Sequence, residues 1–305
     1  MKTLGKPPIG ARHQLSLPRS SIGLSQLRYA LRGLYGRLTQ RVRCPCCPST
    51  VRHCVDRKGP FCLYECGGCQ IQFCYPSERP QRLLRFYQHR YHQAGLTTQL
   101  PTEATLHVLL ESCFSGTEKD ATTLIELIRA AGVPESARIL DYGANWGYTV
   151  YQLRKAGFDA IGYEPSVPRA KFAWKLGVEV QTTQSFSAGS FDLVFSSHVL
   201  EHVPDALATL KEQLAMVRPG GFLVGLTPNG SAERREVAYE SFHRSWGRVH
   251  PLSLTKNFLQ KQLSAWPCYI ASDRDAEALR SWNRSEPLRR DMTGCELVFV
   301  VFKTT

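Results

Sequence analysis

The stretch ARILDYGANWGYTVYQL, residues 137–153, decides the fold. A short apolar strand ends on Asp141, a turn follows with Gly143 and Gly147, and a helix begins after it. Glycines at such a turn let the backbone approach a ligand closely, and the helix N-terminus presents free amides to it. Asp141, at the end of the strand, can hold that ligand through water or through the amides of the turn. Glu164 closes the next apolar strand in AIGYEPS, 23 residues after Asp141. That is where an acidic side chain grips ribose hydroxyls in nucleotide-binding units of this kind.

From about residue 121 onward the chain alternates helical and strand-like segments, as in a doubly wound parallel sheet, so the fold class is α/β. The pattern predicts helices at 122–132, 147–157, 167–176, 205–217 and 253–264. Strands are predicted at 137–142, 159–164, 178–181, 191–197, 221–227 and 296–302, with a seventh near 268–272. FSSHVLEHVP ends the fourth strand, on the carboxyl edge where open α/β sheets place ligands. His198 and His202 lie four apart with Glu201 between them, and histidine titrates near neutral pH, so either suits removal of a proton from a hydroxyl acceptor. The segment TPNGSAERREVAYESFHRSWGRVHPLSLT, residues 227–255, is too long for a simple connection and adds His243, Trp246 and His250 as acceptor-side candidates.

Eight of the eleven cysteines fall between Cys44 and Cys74. Dense cysteine without a secretory signal argues for metal ligation over disulfides. Cys44-Pro-Cys46-Cys47 and Cys66-Gly-Gly-Cys69 are C-x-x-C pairs separated by 18 residues, the spacing of a zinc ribbon. Four thiolates, Cys44, Cys47, Cys66 and Cys69, would hold a structural Zn2+ and leave no open position for substrate. Cys46 competes for one of these places, and Cys54, Cys62 and Cys74 read as buried small hydrophobes.

Taken together, LDYGANWG, GYEPS and FDLVFSSHVLEHVPD, followed by RPGGFLV and TPN, resemble class I S-adenosylmethionine-dependent methyltransferases of the type 11/12 kind, especially bacterial members with an N-terminal zinc ribbon. The resemblance covers roughly residues 42–265. It implies a Rossmann-like seven-stranded sheet with an antiparallel last strand, and S-adenosyl-L-methionine as cofactor. Carried over by position, Asp141, Gly143, Asn145 and Gly147 form the methionine-side loop, Glu164 binds the ribose hydroxyls, and Ser196 joins the cofactor residues. Asn145 stands where the family has its middle glycine, a position asparagine can fill because it tolerates left-handed backbone. The acidic residue that often meets the adenine is missing from QTTQSF, which leaves Thr183, Gln184 and Ser185 as candidates. His198, His202 and His250 fall on the acceptor half of the site.

Composition sets the frame around these motifs. The 305 residues are 43% apolar, enough for one full α/β core and a smaller unit. No apolar run approaches the ~20 residues that span a bilayer. Residues 1–100 hold 16 Lys/Arg against 3 Asp/Glu, so the formal net charge of +12 is all N-terminal. Leu24, Leu27, Leu31, Leu34, Tyr35, Leu38 and Val42 follow helical spacing with arginines beside them, which suits packing on the protein's own body or an anionic membrane surface. The organisation read from these shifts is a basic extension (1–43), a zinc ribbon (44–75), a helical connector (76–120) and a methyltransferase domain (121–305), placed in the cytoplasm with membrane attachment through the N-terminal helix. The favoured activity is O-methylation of a small-molecule or glycan-precursor acceptor. The alternative is an RNA-directed protein whose residues 1–100 grip phosphates, with Phe86, Tyr87 and Tyr91 as stacking residues.

Overall fold

The computed structural model describes residues 19–77, 81, 82, 85 and 99–304. The first part of the basic extension and the stacking candidates Phe86, Tyr87 and Tyr91 lie outside these residues. The chain folds as a helix (Arg19–Thr39) followed by three short strands, β1 (Arg52–Lys58), β2 (Phe61–Cys66) and β3 (Gln72–Tyr75). A large sheet then takes β4 (Arg138–Tyr142), β5 (Asp159–Tyr163), β6 (Val180–Gln181), β7 (Phe191–Ser197) and β8 (Val217–Pro228). β9 (Leu252–Ser253) leaves this sheet for the ribbon, while β10 (Cys268–Ala271), β11 (Leu288–Arg289) and β12 (Glu296–Phe302) complete its far side.

The strand order of the large sheet is β11-β10-β12-β8-β7-β4-β5-β6. From β8 to β6 the neighbours run parallel, and β12 is antiparallel to both β8 and β10. All seven expected strands are present, with the antiparallel last strand inserted in the sheet. The two-residue β11 is an eighth that the seven-strand expectation lacked, and it pairs only with β10. Strands such as β7 are buried on both faces because helices cover both sides. Side chains give these helices their starts: Asp205 accepts from the Ala208 amide ahead of Ala206–Met216, and Thr255 accepts from the Phe258 amide ahead of Lys256–Gln262.

Leu106 and Phe114, from the segment read as a connector, are buried in the core of this sheet. The ribbon strands form a second sheet, β1-β2-β3-β9, whose last strand comes from the long segment after β8. No described helix is long and apolar enough to cross a membrane.

Candidate active site at the carboxyl edge of the sheet

Backbone geometry at the end of β4 builds a close-approach loop. Gly143, Asn145 and Gly147 all take left-handed φ angles, 91°, 54° and 82°. A Cβ on Gly143 would stand 2.3 Å from Val199 Cγ2, so the loop lies directly against the segment that follows β7. Gly147 caps the helix Tyr148–Lys155. Glu164 is almost fully buried, and its carboxylate accepts the amides of Asn145 (3.1 Å) and Ser166 (2.9 Å). Two ionised oxygens accept about four hydrogen bonds, so capacity remains for a pair of ribose hydroxyls.

Burial raises the pKa of Glu164, and burial together with the nearby Glu164 pushes Asp141 up to about 7. A sulfonium and ammonium ligand would supply the missing positive charge, so the residues fit S-adenosylmethionine. Arg169, fully buried on the helix Val167–Phe172, donates from Nη1 to Asn145 Oδ1 and pins the residue that replaces the family's glycine. Sequence reading missed it, although a charged residue five positions after Glu164 is the available signal. Ser196 is placed differently from the other cofactor candidates: its buried hydroxyl accepts from Gln213 Nε2 at 2.9 Å, beneath the sheet. Gln184 approaches Met216 Sδ at 4.0 Å, while Thr183 and Ser185 are exposed.

Beyond β7 the chain turns at His198, with φ of 53°. His198 bridges two carboxylates, Nδ1 to Glu201 Oε1 (3.0 Å) and Nε2 to Glu296 Oε1 (2.7 Å). Thr227 Oγ1 donates to Glu201 Oε2 at 3.1 Å, and Arg274 Nη2 to Glu296 Oε2 at 2.8 Å. Burial disfavours the His198 cation, but the bonds to Glu201 and Glu296 outweigh it and raise its pKa to about 10. Glu296 is lowered to about 2, because His198 and Arg274 overcome its own burial. Both ring nitrogens of His198 are thus engaged by carboxylates, an arrangement that favours its imidazolium form. Glu296 and Arg274 escaped sequence reading because they lie far along the chain.

His202 and His250 come together instead. Their ring centroids are 4.7 Å apart, and each donates from Nδ1 to a carbonyl, His202 to Val249 (2.7 Å) and His250 to Ser245 (2.6 Å). A carbonyl can only accept, so Nδ1 bears a proton in both rings. Burial lowers the pKa of His202. Ligand atoms of Glu201, His202 and His250 all lie within 4.8 Å of one another, a set able to hold a metal ion as well as to move a proton.

The remaining acceptor-side candidates serve another purpose. His243 Nδ1 (2.7 Å), Trp246 Nε1 (2.7 Å) and Tyr239 Oη (2.9 Å) all donate to the buried carboxylate of Asp56 on β1. They fasten the long segment to the ribbon. Trp246, only 3% exposed, packs with Phe61, Leu63, Cys74 and Phe242.

The four cysteines Cys44, Cys47, Cys66 and Cys69 converge with ligand atoms inside 4.8 Å, and all eleven cysteines are free thiols. Cys44 and Cys69 sulfurs are 3.5 Å apart and Cys47 and Cys66 sulfurs 3.4 Å. This is close to the roughly 3.8 Å edge of a tetrahedron whose centre holds thiolates at about 2.3 Å. Cys66 is lowered to about 6: burial opposes ionisation, but the Cys69 and Gly68 amides and the Cys47 thiol favour it. Cys62 and Cys74 are buried as expected, whereas Cys54 is exposed on the edge strand β1.

A mixed sheet of this order, with a glycine-type loop after its first strand and buried carboxylates at the ends of β4 and β5, defines an S-adenosylmethionine-dependent methyltransferase. The chain belongs to the methyltransferase domain family, whose model matches residues 117–283. It is 30% identical over 110 residues to a ubiquinone biosynthesis O-methyltransferase of Bordetella avium, covering 32% of this chain and 46% of that one. It is 38% identical over 108 residues to 2-methyl-6-phytyl-1,4-hydroquinone methyltransferase of Synechocystis, covering 34% and 31%. The chain thus spans less than half the length of these relatives. A solved S-adenosylmethionine-dependent methyltransferase from Archaeoglobus fulgidus is 16% identical, with a TM-score of 0.45 over 65% of this chain and 99% of that one.

Proposed function

We propose that the chain transfers a methyl group to a hydroxyl of a small, ring-bearing acceptor, with His202 and His250 on the acceptor side and a structural Zn2+ in the Cys44, Cys47, Cys66 and Cys69 cluster. The cofactor supplies an activated methyl on its sulfonium. The observation that carries the reading is the meeting of His202 and His250, each held at Nδ1 by a backbone carbonyl, beside the buried carboxylate of Glu201. Glu201 is held ionised by His198 and the neighbouring His202 against its burial. It would stabilise the imidazolium formed when His202 takes the acceptor proton. The Gly143 to Gly147 loop, Asp141 and Glu164 would orient the methyl donor against that hydroxyl, and alignment of the two reactants supplies much of the acceleration.

A cavity of about 160 Å³ opens next to the histidine segments, lined by Phe73, Tyr75, Val203, Pro204, Leu252 and Arg41 among others. Its mainly apolar wall favours a ring compound over a glycan precursor, and the names of the two relatives, one for ubiquinone biosynthesis and one for a hydroquinone, point the same way.

The test is His202→Ala and His250→Ala, with cofactor affinity by calorimetry, melting temperature and turnover on hydroquinone and glycan acceptors. Affinity should stay within about twofold while turnover on a hydroquinone falls ~10²–10⁴-fold for the general base. Unchanged turnover per folded molecule in both variants would reject the assignment.

A further inference from the structure

The helix Arg19–Thr39 is mounted the reverse of an ordinary surface helix. Its contact face is made of small and polar residues. A Cβ on Gly33 would meet Pro60 Cγ at 2.6 Å and the Phe61 ring at 2.8 Å, and one on Gly36 would meet Pro76 Cβ at 2.6 Å. Arg37 donates to Pro60 O (2.6 Å) and Cys62 Sγ (2.7 Å), Tyr75 Oη donates to Gln40 O (2.7 Å), and the Ser77 amide donates to Gln40 Oε1 (3.2 Å). These bonds clamp the 33, 36, 37 and 40 face onto the ribbon.

At about 100° per residue the opposite face carries Leu27, Leu31, Leu34, Tyr35 and Leu38. All five point to solvent, with exposures of 56%, 56%, 53%, 67% and 87%. A soluble helix buries such a stripe, and a contiguous exposed one marks an interaction surface. Its charge is one-sided. Arg28 and Arg32 border the stripe, Arg41 and Arg43 follow the helix, all exposed, and no acidic residue occurs between residue 19 and Asp56. A cavity of about 420 Å³ opens beside the stripe, where Leu31 and Tyr35 share its wall with Arg32, Arg82 and Arg248, and among the described residues no acidic side chain lines it.

We propose that this face docks on an anionic lipid bilayer, the leucine stripe entering the headgroup–acyl boundary while the arginines along its border and in the adjoining cavity engage lipid phosphates. Interfacial helices combine an apolar stripe with basic flanks in this way. Four of the five stripe side chains are aliphatic and offer no stacking platform for nucleic acid. A second copy laid along the stripe would set arginine against arginine. The inference does not depend on the identity of the methyl acceptor.

The experiment is cosedimentation of the full chain with vesicles of phosphatidylcholine alone and of phosphatidylcholine mixed equally with phosphatidylglycerol. The wild-type chain should bind the anionic vesicles at least about tenfold more tightly, and added salt should weaken binding. The triple variant Leu31→Ser, Leu34→Ser, Leu38→Ser changes side chains that touch solvent, so it should keep its melting temperature and lose at least about tenfold in binding. Arg28→Ser with Arg32→Ser should weaken anionic binding and leave the weak neutral binding unchanged. Equal binding to both vesicles, no binding to either, or an unaffected triple variant would overturn the proposal. So would a dimer that the triple variant dissociates, or displacement from vesicles by an RNA oligonucleotide that the triple variant still binds. Inorganic phosphate that displaces the chain as well as lipid does would reassign the arginine cavity to a free anion.

Discussion

Glu164 accepts one amide from the loop after β4 and one from its own loop, and each oxygen keeps a further lone pair, so its removal should cost more than one hydrogen bond to a ligand. Hydrogen bonds to charged groups contribute about 1.5–3 kcal/mol, so Glu164→Ala should weaken S-adenosylmethionine binding roughly 10–100-fold with the sheet intact. Calorimetry on a variant with unchanged circular dichroism checks this, and an unaltered affinity would remove Glu164 from the site. Arg169 and Asn145 show how the loop tolerates a lost glycine, because a buried guanidinium holds the asparagine side chain that the left-handed turn admits. His198 makes a different claim, about charge. Its folded pKa lies near 10 against an ordinary 6.5, so its pairing with Glu201 and Glu296 stabilises the fold fully below about pH 6.5 and loses that contribution as pH rises through about 10. Nitrogen-15 NMR should find the ring doubly protonated at pH 8, and a neutral ring there would contradict the arrangement.

Between elements, one joint is made by Asp56, a single carboxylate on β1 receiving Tyr239, His243 and Trp246 from the segment after β8. Lys58 adds its ammonium over the Trp246 ring at 4.3 Å. Asp56→Ala strands the buried Trp246 donor along with two half-exposed ones, which should cost about 3 kcal/mol and loosen the segment. Denaturant melting reads the loss, and Asp56→Asn should recover part of it by keeping one acceptor. A loss under about 0.5 kcal/mol would mean that the joint is carried by packing alone. This joint also shows where sequence reading stops. The β4 turn, Glu164 and the cysteine spacing were legible because each is written in consecutive residues. Asp56 with Trp246, and His198 with Glu296, pair across about 190 and 100 residues, and no local period encodes such partners. His243 and Trp246 read as acceptor-side candidates for that reason, and the structure has them bonded to Asp56. The helix Arg19–Thr39 shows another limit: its apolar stripe suited packing on the body or a membrane surface alike, and only the structure shows Gly33 and Gly36 giving the ribbon a close approach on the opposite face.

Across the molecule, ribbon and catalytic sheet share a strand boundary. β9 pairs with β3, the Cys74 amide donates to Pro251 O (2.8 Å), and the Leu252 amide to Glu201 O (3.3 Å). A path of backbone bonds therefore runs from the cysteine knuckles through β3 to the Glu201, His202 and His250 group. The Asp141 and Glu164 side lies on β4 and β5, whose neighbours in the sheet are β7 and β6 and include no ribbon strand. Structural zinc supplies about 10–16 kcal/mol of folding free energy to zinc-finger peptides, so its loss should unfold the knuckles rather than merely relax them. Purified chain should carry about one zinc, and either chelation or Cys66→Ser should release it. Turnover should then fall at least about tenfold, as β9 loses its partner and His250 its placement. S-adenosylmethionine affinity should stay within about twofold, because the donor half keeps its own strands. Amide exchange should rise at Leu252 and Leu254 before it rises at Leu140 or Ile161. Cofactor affinity that vanished in step with zinc would show that the ribbon holds up the whole sheet and not the acceptor half alone.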